Sequence, residues 1–308
     1  MNRLIWVHLA AAGAALSAGA TVVATRIAVG ETDPITLSFY RYIIAFVCLA
    51  PILPFVWPKA RVPLVDVVKI ALLGAVFFAF FPWAFSAALQ YTTAARGAIG
   101  VATIPIQTLI IAAAFGFERM TGRKVLSVLL AFAGIAVVFG PEAYGGKVSN
   151  YLIGDGLMLL GAFSAAIYSA FSRPILGRHG PMFFIALAIL FGLLALLPLA
   201  FARGALSHWP HFSGKGWAAL IFIGIAGSAV QFSLLTWALR WLPPSRVVIY
   251  LTLVPVTAML LANLILAEPV PPVLIAGLIF ISSGIFVANW RNAADEAPAN
   301  ARAAKTDQ

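Results

Sequence analysis

The side chains best suited to meet a ligand in this sequence are hydroxyls and amides set inside long apolar runs. Ser17, Thr21 and Thr25 recur at steps of four, and Ser164, Tyr168 and Ser172 repeat the pattern later in the chain. Steps of four place side chains along one stripe of a helix, where they can hydrogen-bond a polar solute in a wet cavity. The competing account is that each hydroxyl bonds a carbonyl of its own helix or knits two helices together, at about 0.6–2 kcal/mol. Thr103, Gln107 and Thr108 surround Pro105, and Tyr250, Thr252 and Thr257 surround Pro255. A proline inside a helix removes one backbone hydrogen bond and frees a carbonyl one turn earlier. Pro105 and Pro255 are therefore candidate hinges, or static kinks that serve packing. Gln231, Thr236 and Trp237 add an amide and an aromatic ring. Phe78, Phe81, Trp83 and Phe85 can form an aromatic wall or face lipid and neighbouring helices.

The charged residues argue against catalysis. The ten carboxylates include Glu31, Asp33, Asp66, Glu118, Asp155 and Glu268, and none falls near the middle of an apolar run, so a mid-membrane proton relay is missing. Arg41 lies about two turns inside its run and can meet a substrate carboxylate, although snorkelling or pairing with Glu31 or Asp33 is the blander account. Glu118 and Glu268 sit at run ends, where helix capping or gate closure with a nearby arginine fits better than ligand binding. Walker, His-Glu-x-x-His and Gly-x-Ser-x-Gly motifs do not occur. The single Cys48 forbids an intrachain disulfide and a cysteine-histidine metal site, and no cofactor is implied.

The elements that position these groups must be membrane helices. Of 308 residues, 62% are hydrophobic and 10% charged, against a soluble norm of roughly 45–50% and about 25%. A span needs about 20 mainly apolar residues. Ten segments qualify: 4–29, 35–57, 64–90, 94–117, 122–140, 152–173, 181–202, 214–240, 244–267 and 270–290. The expected class is an all-α integral membrane protein of ten transmembrane helices, with a disordered cytoplasmic tail over 291–308. The chain carries a net charge of +10. With the amino terminus inside, fourteen Lys and Arg fall on inner loops and five on outer ones. That bias puts both termini in the cytoplasm of a multi-pass plasma or inner membrane protein and explains the charge without nucleic acid.

The chain also repeats itself. A shift of 150 places Gly74 on Gly224, Arg96 on Arg246, Pro105 on Pro255, Glu118 on Glu268 and Gly134 on Gly284. A shift of 147 places Ser17 on Ser164, Arg26 on Arg173 and Pro34 on Pro181. Two five-helix units result, 1–143 and 150–290, and an odd helix count means that the second enters the membrane inverted. Inverted repeats are a frequent build of secondary transporters, in which the two halves open a midplane site to each side in turn.

The pattern Ala94-Ala95-Arg96, Pro105, Glu118, Gly134, echoed by Ser245-Arg246, Pro255, Glu268, Gly284, resembles the EamA domain of the drug/metabolite transporter superfamily. The resemblance covers nearly the whole chain up to Arg291. It implies a helical basket whose central cavity is walled mainly by helices 1, 3, 4, 6, 8 and 9. Exporters of amino acids are among the similar members, as are more distant carriers of vitamins or nucleotide-like metabolites. The expected activity is export of small polar metabolites, amino acids foremost, by alternating access. A membrane enzyme or scaffold acting on lipid-linked substrates is the alternative. The expected partners are a small-molecule substrate and membrane lipid, with a homodimer left open.

Overall fold

The computed structural model describes residues 2–58, 61–117, 120–144, 150–207, 211–239 and 250–289. Among them every regular element is helical. The first half comprises α1 (Asn2–Val29), α2 (Pro34–Val56), α3 (Leu64–Tyr91), α4 (Ala94–Ala114) and α5 (Gly122–Tyr144). The second comprises α6 (Asn150–His179), α7 (Pro181–Ala202), α8 (Gly214–Leu235, helical on to Leu239), α9 (Leu253–Leu266) and α10 (Pro272–Asn289). Among the described residues seven helices, α1 to α4 and α6 to α8, are long and apolar enough to cross a membrane, and α9 and α10 are shorter apolar helices. Large apolar side chains such as Phe55, Leu64 and Leu264 stand exposed on the outside of the bundle, as expected of a surface solvated by acyl chains. Glu118, Arg246 and the 291–308 tail lie outside the described residues.

Local chemistry sets the helix ends. Asp33 caps α2 by accepting from the amides of Ile35 and Thr36, with Pro34 at the first position, where its missing N–H costs nothing. Thr93 caps α4 and Ser213 caps α8 through their hydroxyls. Gly180, at φ 81°, breaks the chain between α6 and α7, a conformation that a Cβ disfavours.

Two helices carry the same irregularity at the same place in the repeat. α3 widens into a π-turn over Ala75–Phe80 and α8 over Ile225–Val230, 150 residues later. In α8 the Ser228 hydroxyl donates to the Ile223 carbonyl at 2.9 Å within the widened turn. Gly74 and Gly224 immediately precede the two turns, and each admits a neighbour. A Cβ on Gly224 would lie 2.6 Å from Ile44 of α2, while one on Gly74 would strike the Ala188 backbone of α7. π-turns of this kind concentrate at functional sites.

Packing partners pair off in the same way. α1 packs on α8 and α9, and α6 on α3 and α4; α2 crosses α8, and α7 crosses α3. α5 and α10 lie against each other, brought close by small residues. A Cβ on Gly134 would come 2.7 Å from Ile281, and one on Gly284 2.7 Å from the Ser127 carbonyl. Without a hydrophobic force between helices in lipid, such close backbone approach is a main source of association. The largest apolar cluster joins α2, α3 and α7 through Phe39, Tyr42, Phe78, Phe183, Phe184 and Ile189.

Candidate functional site

A cavity of about 230 Å³ opens among the helices. That is below the roughly 300–1,000 Å³ of pockets for drug-sized ligands, so the space suits a small molecule. Ala18, Thr21 and Val22 of α1, Val101, Ala102, Ile104 and Pro105 of α4, Ala165 and Ser169 of α6 and Leu251 and Val254 around the start of α9 contribute to the lining. The rest of the lining brings polar and aromatic groups together: Arg41 and Tyr42 of α2, Gln231 and Phe232 of α8 and Phe77, Phe81 and Phe85 of α3.

Arg41 is 7% exposed. Its Nε donates to the Ser228 hydroxyl at 2.9 Å, and a terminal nitrogen donates to the Gly227 carbonyl at 3.1 Å. The guanidinium also lies 5.4 Å from the centre of the Tyr42 ring. Pairing with Glu31 or Asp33 is not what holds it: Glu31 accepts from the amide and hydroxyl of Ser213, and Asp33 caps α2. Among the described residues no carboxylate lies within 4 Å of the Arg41 guanidinium. Gln231 adds a complementary group, because its Oε1 is buried and accepts no hydrogen bond from the described residues.

The α3 rings stack on one another and on α6. Phe77 stacks on Phe81 at 5.3 Å and on Tyr168 of α6 at 4.3 Å. Phe78 turns the other way into the core, edge-on to Tyr42 at 5.4 Å and to Phe232 at 5.6 Å.

The polar stripes divide between cavity and scaffold. Thr21 lines the cavity, with its hydroxyl donating to the Ser17 carbonyl one turn back. Ser17 donates across to the Ala226 carbonyl of the α8 π-turn, and Thr25 is fully buried with its hydroxyl unpaired. Ser164 and Ser172 bond carbonyls of α6, while Ser169 and Ala165 face the opening instead. Thr103 sits at the break in α4, donating to the Gly100 carbonyl and accepting from Gln107. Pro105 follows the break and lines the cavity; Pro255 is buried in α9. Trp83 packs on Phe80, Trp237 is on the exposed face of α8, and the side chain of Thr236 lies outside the described residues. Tyr250 bonds His8 of α1 at 2.6 Å, and Thr252 borders a second opening beside α10.

Ionic contacts gather at the two ends of the bundle. At one end Arg26 meets Glu268 at 3.6 Å and the Leu89 carbonyl, while Glu268 accepts from the Ala94 amide at the start of α4. Beside it, buried Arg96 pairs with buried Asp155 of α6, which also accepts from Thr92. At the other end Asp66 of α3 accepts from Arg178 at 3.0 Å and is 2.7 Å from His179. The Arg96–Asp155 contact was invisible in the sequence, because the two residues come from different halves and no spacing pairs them. Ser169 was missed for a smaller reason: α6 is rotated by one position from the stripe that its spacing suggests.

Among the described residues that line the cavity, no nucleophile stands beside a base. The cavity offers a cation, an unpaired amide oxygen and an aromatic face around a small space, which is equipment for binding. The EamA-like transporter family matches residues 5–140 and again 152–290. A protein of Archaeoglobus fulgidus named an uncharacterized transporter is 26% identical, over 87% of this chain and 93% of its own. A probable terminal-alkyne amino-acid exporter of Streptantibioticus cattleyicolor is also 26% identical, over 76% of this chain and 75% of its own. One crystal structure superposes with a TM-score of 0.63 at 22% identity, covering 92% of this chain and 96% of the other, a likeness of fold alone.

Proposed function

Because the chain belongs to the EamA-like transporter family, we propose that it exports small polar metabolites, amino acids or related compounds foremost, by alternating access through the central cavity. The observation that carries this reading is that both halves of the chain line one cavity, the first through α1 to α4 and the second through α6, α8, α10 and the start of α9. Ten spans arranged as two inverted five-helix units, 1–143 and 150–290, with both termini in the cytoplasm, form the framework of the proposal.

One feature supports the inversion and two support the repeat. The C-terminal end of α1 and the N-terminal end of α6, counterparts in the repeat, both meet the start of α4 through Arg26, Glu268, Arg96 and Asp155. The π-turns recur at one repeat interval. The helix contacts exchange partners between halves. Two copies of one bundle that can trade conformations supply the rocking motion that alternating access requires.

Thr21, Pro105 and Gln231 are the ligand-contact and hinge positions best supported by the geometry, since each borders the cavity. Counterflow in proteoliposomes tests the reading: purified protein should exchange labelled amino acid against an internal pool. Chemical conversion of a lipid-linked substrate without flux would replace it with the enzyme alternative.

A further inference from the structure

The repeat makes the two helix crossings beside the cavity equivalent, yet they are furnished oppositely. Where α7 crosses α3 the backbone of Ala188 abuts Gly74; 147 residues earlier, where α2 crosses α8, Arg41 stands at that place, its carbonyl 3.3 Å from where a Cβ on Gly224 would lie. The π-turn of α8 presents the Gly227 carbonyl and the Ser228 hydroxyl to that arginine. The equivalent positions in α3 are Phe77 and Phe78, which present rings. The cavity lining therefore combines a cationic, hydrogen-bonding group from α2 and α8 with aromatic rings from α3.

A guanidinium held this far from water is costly unless an anion answers it. Its contacts to Ser228 and Gly227 are both to neutral acceptors and use two of its five N–H donors. Guanidinium geometry matches a carboxylate through two parallel bonds. The unpaired Gln231 oxygen calls for a donor, and a carboxylate cannot supply one. An ammonium group beside the carboxylate can.

We propose that Arg41 is the specificity residue of the cavity, binding a free carboxylate, with Gln231 receiving the adjacent ammonium and Phe77, Phe81 and Phe85 receiving an apolar side chain. This deepens the transport reading and rests on it. The ligand class that follows is a small α-amino acid with an apolar or aromatic side chain, whose carboxylate is obligatory. Its ammonium adds affinity.

Thermal shift of the purified full chain tests the assignment with four probes: phenylalanine, 3-phenylpropionate, phenylethylamine and phenylalaninol. Phenylalanine should stabilise the protein most, 3-phenylpropionate less, and the two probes without a carboxylate not at all. Arg41→Met should weaken phenylalanine binding roughly 10- to 100-fold. Should that variant fail to fold, Arg41→Lys keeps the charge and should still weaken binding, because one ammonium cannot replace a fork. Gln231→Leu should bring phenylalanine down to the affinity of 3-phenylpropionate and leave the latter unchanged. Binding of phenylethylamine equal to that of phenylalanine, unaltered binding in Arg41→Lys, or no response to either acid overturns the proposal. Flux of an uncharged solute would sink the carboxylate assignment and leave transport standing; carboxylate-dependent binding without flux would do the reverse.

Discussion

Arg26, in the last turn of α1, reaches Glu268, just beyond the end of α9, with Nε 3.6 Å from Oε1. The same carboxylate accepts from the Ala94 amide through Oε2 at 2.9 Å, so one side chain ties the ends of α1 and α9 to the start of α4. An anion at a helix N-terminus is favoured by the helix dipole as well as by the hydrogen bond. If the contact acts as a closure, weakening it should open that end of the bundle. Glu268→Gln keeps the shape and removes the charge. The arginine side chain is 32% exposed, so the pair is worth about 0.2–1 kcal/mol. The expected outcome is a roughly 1.5- to 5-fold faster reaction of an impermeant maleimide with Ala18→Cys in a Cys48→Ala background, added from the side where α1 ends. An unchanged labelling rate would mean that the contact is not a closure.

The Arg96–Asp155 pair is a different case, because both side chains are nearly dry at 10% and 4% exposure. Removing one partner of a buried pair strands the other charge, at a cost of about 3–5 kcal/mol. Asp155→Asn should therefore lower the apparent melting temperature in detergent strongly. Combining Arg96→Met with Asp155→Leu should lower it less than the sum of the single changes. Strict additivity of the two single variants would show that the residues act independently.

Gly134 and Gly284 are counterparts in the repeat and sit on the facing sides of α5 and α10. A leucine at either position must push the partner helix away, since even a Cβ would fall within 2.7 Å of a neighbouring atom. The expected loss is about 1–3 kcal/mol for each, read as a lower unfolding midpoint. Ligand binding at the cavity should be retained, because neither glycine lines it. Loss of binding without loss of stability would transfer these glycines from scaffold to site.

These cases show what a sequence of this kind reveals and where it falls silent. The helix limits follow from apolar runs and breakers: Pro34, Pro181 and Gly214 begin helices at the residues where turn chemistry predicts a boundary. The glycines of the repeat announce close approach before any partner is known. The π-turns leave no such trace, since Ala75–Phe80 and Ile225–Val230 read as ordinary apolar helix. Arg41 is legible as an anomaly, but its role depends on the Ser228 hydroxyl 187 residues away. Ser17 and Thr21 look alike at a spacing of four, yet one braces α8 and the other borders the cavity, because helix rotation is set by neighbours that periodicity does not name.

Glu31 ties the turn between α1 and α2 to the start of α8 by accepting from the hydroxyl and the amide of Ser213, both at 2.7 Å. Those bonds, the hydroxyl first, hold its carboxyl below the ordinary glutamate value against a smaller opposing effect of desolvation. A depressed folded value means that the unfolded chain takes up the proton at higher pH. The stabilisation is therefore complete above the ordinary range near pH 4.3 and fades as the pH falls through the lower folded value. Glu31→Gln should remove that pH-dependent part. Between pH 7 and pH 5 the melting difference between wild type and variant should stay constant, and it should shrink as the pH is lowered beyond the ordinary glutamate range. A difference that grows on acidification instead would mean that the folded protein favours the protonated carboxyl, the opposite of what two donors aimed at one carboxylate require.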